Sequence, residues 1–258
     1  DQALFQGIAE ALGYSRNKLP MSVLAQRLPL KFLHRRPGDA EALLFGAAGF
    51  LAGREAEHGG GATRAWLRSP WESWWKYRAG FTPGHPAQPI RWTMSGTRPV
   101  NHPQRRVAAL WQIVSHWKAI RRLMEPAAFH EKSLTALLES LTHPYWSTHY
   151  TLAAKPSPVK LALLGTQRIR DILANVVYPL LVNERPDIWN AYTRLPAPGP
   201  STRTDIAGIR LFGSESRAAA HSTKLWHQQA LLQIYQDFCL ASASGCAGCP
   251  FPAQAAGT

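Results

Sequence analysis

The sequence predicts an all-α protein: an irregular multi-helix domain with long Pro/Gly-rich loops and a Cys-containing C-terminal tail. Three observations carry that expectation. Apolar side chains recur at i, i+3 and i+4 spacing through much of the 258 residues, the period of a helix with one buried face. Alternation of apolar and polar residues, the mark of a half-buried strand, is modest and confined to Tyr145–Leu152. Hydrophobic residues make up 45% of the chain, an ordinary share for a packed core. The charge-free apolar run Ala42–Ala52 is far shorter than the ~18 residues of a membrane span, so no membrane partner is expected.

The elements follow in order. Leu4, Phe5, Ile8 and Leu12 share one face of a helix over 2–12, and Gly13 is a natural stop. Pro20 opens a short helix through Leu28, which Pro29 interrupts. Asp39 reads as the cap of a helix running to Leu51, with Gly53 beyond it; Gly46 and Gly49 would let another helix approach closely. Gly59-Gly60-Gly61 is a flexible joint and a sub-boundary. A Trp-rich helix is expected over about 62–78, then a loop to 103, punctuated by prolines and glycines. Pro103 starts a strongly periodic helix with Val107, Leu110, Trp111, Val114 and Trp117 on one stripe and Arg105, Gln112 and His116 opposite. Later helices are expected at 127–141, at 160–183 with a break before Pro179, at 203–212 and at 215–240. A helical domain thus covers 1–240, and a Cys/Gly/Pro-rich tail over 241–258 frays after Pro252.

The 29 Lys and Arg outnumber the 16 Asp and Glu, for a net charge of +13, and the excess is local. Residues 61–126 carry eleven basic and two acidic side chains. Seven of the ten tryptophans lie there too: Trp66, Trp71, Trp74, Trp75, Trp92, Trp111 and Trp117. Cations interleaved with flat rings suit a polyanion whose bases stack. Phosphate contacts release counterions, and each base–aromatic stack contributes ~1–3 kcal/mol. The same residues equally suit a core of tryptophans covered by Arg and Lys stems.

Catalytic motifs are missing. The basic quarter offers only Glu72 and Glu125, not the converging carboxylates of metal-dependent hydrolysis. There is no Gly-rich loop ending in Lys-Ser or Lys-Thr, no Gly-x-Ser-x-Gly elbow and no zincin pair among the ten histidines. No catalytic residue is assigned. The most informative stretch is Arg98-Pro99-Val100-Asn101-His102-Pro103-Gln104-Arg105-Arg106. Its prolines stiffen a turn, Asn101 can bond its own backbone, and its arginines flank a helix start whose N–H groups favour anions. Arg98, Asn101, Arg105 and Arg106, continued by Arg121 and Arg122, are therefore the candidate polyanion-binding residues. The alternative is a loop whose arginines bond carbonyls and carboxylates of neighbouring helices.

All three cysteines lie at one end, as Cys239-x6-Cys246-x2-Cys249. Cys246-Ala-Gly-Cys249 has the spacing of a thioredoxin-type pair, but Pro250-Phe251-Pro252 follows, so no helix is expected to lower a thiol pKa. Clustered thiols on a Gly-rich turn are candidate ligands for Zn or an iron–sulfur cluster, with His221 or His227 as a fourth. The alternative is three free thiols.

Several stretches together resemble a known family. Ala9-x2-Leu12-Gly13-Tyr14-x2-Asn17, Leu24-Ala25 with Leu28-Pro29, Leu44-Phe45-Gly46-x2-Gly49-Phe50-Leu51 and Arg98-Pro99-x-Asn101-x-Pro103 are the first four. Tyr145-Trp146-x2-His149, Asn175-Val176-Val177-x-Pro179 and the closing cysteines complete the set. In this order they resemble the bacterial domain-of-unknown-function family 2851 (DUF2851); His102 departs from it, standing where an aromatic residue is expected. The resemblance implies a longer protein whose upstream half is similar to restriction-endonuclease-type cores, so that this chain, starting at Asp1 rather than Met, is the helical C-terminal half. The expected function is a non-catalytic, cytoplasmic module of a nuclease-like protein that binds nucleic acid or another polyanion. The alternative is a structural or protein-interaction domain whose arginines form internal ion pairs.

Overall fold

The computed structural model describes residues 1–51, 60–81, 89–199, 201–240 and 245–255. They form helices and turns, and among them the only β feature is one antiparallel bridge, Pro196 with Lys224. The protein is all-α, as its periodicity predicts. The chain divides into two compact units, Asp1–Leu181 and Val182–Thr258. The sub-boundary expected at 59–61 falls partly outside the described residues, as do Gly53 and part of the loop expected over 79–103.

In the first unit, α1 (Gln2–Arg27) is two helical stretches joined at a kink, where Tyr14 sits at φ 55° and ψ −168°. Gly13 is required there: a Cβ would lie 2.7 Å from the Lys18 amide nitrogen. Asn17 takes over where helical bonding lapses. Its Nδ2 donates to the Thr93 carbonyl at 3.0 Å, and its Oδ1 accepts the Thr93 N–H at 2.8 Å. Phe5, Ile8 and Leu12 from one stretch, and Met21, Leu24 and Leu28 from the other, are buried.

After α2 (Leu30–His34), α3 (Ala40–Ala47) ends earlier than expected, at a turn where Gly49 has φ 83°. Asp39 does not cap α3 with its side chain; its Oδ2 accepts the Tyr77 hydroxyl at 2.7 Å. That bond and Gly46 dock α3 against α4 (Gly61–Phe81). A Cβ at Gly46 would stand 2.0 Å from Trp74 Cδ2, so only glycine admits the ring. The close approach read from the sequence is real at Gly46, whereas Gly49 serves the turn.

At the centre lies α5 (Pro103–Ser115), buried along both faces from Pro103 to Leu110. The polar side expected at Arg105 and Gln112 is therefore interior. Beyond it come α6 (Trp117–Leu123), α7 (Glu131–Ser140) and α8 (Thr166–Ile172). The break expected before Pro179 is instead a π-helical turn, Leu173–Val177, leading into α9 (Tyr178–Leu181). The strand suggested at Tyr145–Leu152 is a series of turns. Its alternation misleads because Tyr145, Trp146, Ser147, His149 and Leu152 are all buried, whichever way they point.

The second unit contains α10 (Ile188–Arg194), α11 (Thr202–Phe212), α12 (Glu215–Ala220), α13 (Leu225–Ile234) and α14 (Phe251–Ala255). Ser201 and Thr204 form a capping box at the start of α11, and Gly213 at φ 79° ends it. The helix expected over 215–240 is interrupted between His221 and Lys224, where Leu225 N–H bonds the Leu195 carbonyl at 3.0 Å. It closes in a π turn, Tyr235–Cys239. The tail does not fray at Pro252. It continues as α14, with Phe251 set edge-on to Phe238 at 5.1 Å.

Candidate functional site

The structure turns half of the candidate polyanion residues inward. Arg105 is fully buried and donates to the carbonyls of Trp146, of His149 at 2.8 Å and of Ala162 at 2.8 Å. Arg106, 5% exposed, donates to the Leu163 carbonyl at 3.1 Å, the Val100 carbonyl at 2.8 Å and Asn101 Oδ1 at 2.5 Å. Asn101 thus serves Arg106 rather than its own backbone. Burial lowers the Arg105 pKa, and burial with Arg168 and Arg105 nearby pushes Arg106 down to about 9. Both remain cations at neutral pH, but they face carbonyls, so Arg105, Arg106 and Asn101 are corrected from ligand contacts to scaffold. Arg98 and Arg122 are exposed, and Arg121 pairs with Asp1 at 2.8 Å. The six do not form one surface.

The scaffold has a clear job. Residues 141–165 contain no helix, so their backbone needs partners from elsewhere. Arg105 and Arg106 supply donors to four of their carbonyls, and Gln104 Oε1 accepts the Leu152 N–H at 3.0 Å. His143 completes the arrangement. Its Nδ1 accepts the N–H groups of Tyr145 and Trp146, both at 3.1 Å, so the proton sits on Nε2, 2.9 Å from Glu41 Oε1. Five of the seven tryptophans of the basic quarter are also inward. Trp66 stacks on Tyr145 at 4.8 Å, Trp74 fills the Gly46 notch, and Trp92 donates to the Ala48 carbonyl at 2.8 Å. Trp111 meets His143 edge-on and Trp117 meets Phe5 in the same way.

The remaining two tryptophans are outside, and they identify a surface. Trp71 is 44% and Trp75 40% exposed, edge to face at 5.0 Å, on α4. Arg64, Arg68, Trp71, Trp75 and Arg78 follow one another at i, i+4, i+7, i+11 and i+14, one stripe of a helix, and all five are exposed. Arg78 lies over the Trp75 ring, 2.8 Å from its centroid. Lys76 adds an exposed cation beside the stripe, against one exposed acid, Glu72. Chemically this is a row of fixed positive charge with flat, accessible rings. The sequence signal for this stripe is the spacing of 64, 68, 71, 75 and 78.

Among the described residues, no group of three His, Cys, Asp or Glu is arranged to hold a metal ion. Cys239, Cys246 and Cys249 are free thiols, with Cys246 exposed, and the described geometry does not gather them with His221 or His227 into the Zn or iron–sulfur site expected from the sequence. His221 stacks on Phe212 at 4.5 Å and His227 lies against Trp226, neither serving as a fourth ligand. The tail is held instead by the Phe238–Phe251 contact and by Arg210, whose Nη1 donates to the Cys239 carbonyl at 3.1 Å. A short helix does follow Cys249, contrary to the expectation from Pro250 and Pro252.

Fold and surface together define an all-helical module with a cationic, tryptophan-bearing face. No described helix is long and apolar enough to cross a membrane. The chain belongs to the family described as "Protein of unknown function (DUF2851)", whose model matches residues 1–189, all of the first unit and a little of the second. No curated protein and no solved structure matches it.

Proposed function

We propose that this chain is a non-catalytic helical module that binds nucleic acid, single strands in preference to duplex, in the cytoplasm and alongside a nuclease-like domain. The observation that carries this is the exposed stripe Arg64–Arg68–Trp71–Trp75–Arg78 on α4. Its arginines suit phosphates, and its rings suit unpaired bases, which a duplex keeps stacked inside. A protein-interaction role is the second reading, favoured by the inward Arg105 and Arg106, which serve the fold.

Fluorescence anisotropy with labelled single-stranded and duplex oligonucleotides over a salt series separates the two. Neutralising ~3–4 phosphates gives a slope of log K against log salt of about −2 to −3.6. Arg64→Ala with Arg68→Ala should flatten that slope by about 1.4 to 1.8. Trp71→Ala with Trp75→Ala should cost ~1–3 kcal/mol per lost stack on single strands while leaving the slope alone. Affinity that ignores salt, or that survives both double variants, overturns the proposal.

A further inference from the structure

The second unit carries a pair of thiols that play no part in the oligonucleotide face. Cys246-Ala247-Gly248-Cys249 is a closed turn: the Cys249 N–H donates to the Cys246 carbonyl at 3.3 Å, and Gly248 sits at φ 71°. A positive φ at the third residue is what a type II turn requires, and glycine takes it without strain. Such a turn holds its first and fourth Cα atoms within ~7 Å, and a disulfide spans ~4.4–6.8 Å between Cα atoms. The backbone is therefore already folded for a bond between the two sulfurs. The pair is also within reach of solvent: Cys246 is exposed and Cys249 half-buried. Just beyond the turn, Phe251 packs edge-on to Phe238 and ties it to the unit. Residues 238–258 contain no Asp, Glu, Lys, Arg or His, so the turn offers a partner no charge to dock on. What it fits is a small disulfide, which needs only an accessible sulfur.

We propose that Cys246 and Cys249 form a reversible redox site that exchanges with small disulfides. The Cys246 thiolate attacks one sulfur of a disulfide R–S–S–R, forming a mixed disulfide and releasing one R–S⁻. The Cys249 thiolate then attacks the Cys246 sulfur, closing the internal disulfide and releasing the second R–S⁻. The two protons of the protein thiols end on the two released thiolates, and two electrons pass from the protein pair to the reagent. Excess R–SH runs both steps backwards. The second step is intramolecular across a turn already made, so the mixed disulfide is short-lived. Cys239, at the end of the π turn Tyr235–Cys239, lies outside the turn and takes no part.

The test treats the whole chain carrying Cys239→Ser, in which only the pair can react, with hydroxyethyl disulfide and reads the intact mass. The protein should lose two hydrogens and keep no mercaptoethanol adduct, with its far-UV circular dichroism unchanged. Adding Cys249→Ser should stop the reaction at one adduct on Cys246. Gly248→Ala puts a Cβ where φ is positive, at a cost of ~1–2 kcal/mol that should raise the ratio of adduct to internal disulfide about 5- to 30-fold. Excess mercaptoethanol should restore both thiols, and fragmentation of the oxidised native chain should place its bond at Cys246–Cys249. An adduct as the main product with both thiols present, a native bond that includes Cys239, an unchanged ratio in Gly248→Ala, or thiols that react only after a chelator is added overturns the proposal.

Discussion

A guanidinium belongs inside a helical core only where carbonyls are short of donors, and Arg105 meets that condition. It is 0% exposed and serves three carbonyls of a helix-free stretch. Losing one partner of such a buried set leaves the others unsatisfied, which costs more than the bonds themselves contribute. His102, three residues earlier, shows the opposite case. Its Nδ1 is buried without a partner among the described residues, and burial pushes its pKa down to about 4 from the usual 6.5. Between those values the unfolded chain binds a proton that the native state refuses. Stability is therefore full above pH ~6.5 and falls as pH drops toward ~4, by ~2–4 kcal/mol from this group. His102→Phe, which keeps a ring of similar size and removes the titratable nitrogens, should remove that share of the acid loss. Urea unfolding of both proteins at neutral and mildly acid pH decides it; an equal drop in the two would refute the assignment.

Among elements, the α3–α4 pair shows how one missing Cβ sets an interface. Replacing a helical glycine by alanine ordinarily gains ~1 kcal/mol in propensity. At Gly46 the added carbon would meet Trp74 at 2.0 Å, and overpacking of that kind costs ~1–3 kcal/mol or more. The clash outweighs the propensity, so Gly46→Ala should lower the urea midpoint. Gly80→Ala is the control, because nothing lies within 4 Å of a Cβ there. It should leave the midpoint unchanged or raise it, and a similar loss in both variants would mean that Trp74 does not rest in the notch. Helices with one buried face, such as α4 and α7, were legible from their period. The turns at Tyr145–Leu152 and the burial of the Arg105 side of α5 were not, because alternation and stripes assume one wet face, which the turns and the first two-thirds of α5 lack.

For the whole molecule, the first unit carries the deepest core, from Phe5 and Phe45 to Trp146, and the family model covers it completely. Residues 1–181 alone should therefore fold, melt in one cooperative transition and keep the oligonucleotide affinity of the full chain, since α4 lies within them. Far-UV circular dichroism and anisotropy check this; loss of helical signal or of binding would show that the second unit is indispensable. The sequence by itself determined the helical class, the family, and the quarter of the chain that holds charge and tryptophan together. Period and composition are one-dimensional properties, so they survive without a fold. Only the tertiary structure decided which cations and rings reach solvent. Arg105 and Arg64 are indistinguishable as letters, but three carbonyls 41, 44 and 57 residues further along the chain draw Arg105 inside, whereas Arg64 lies on an exposed helix face. Burial depends on partners that proximity in sequence cannot reveal.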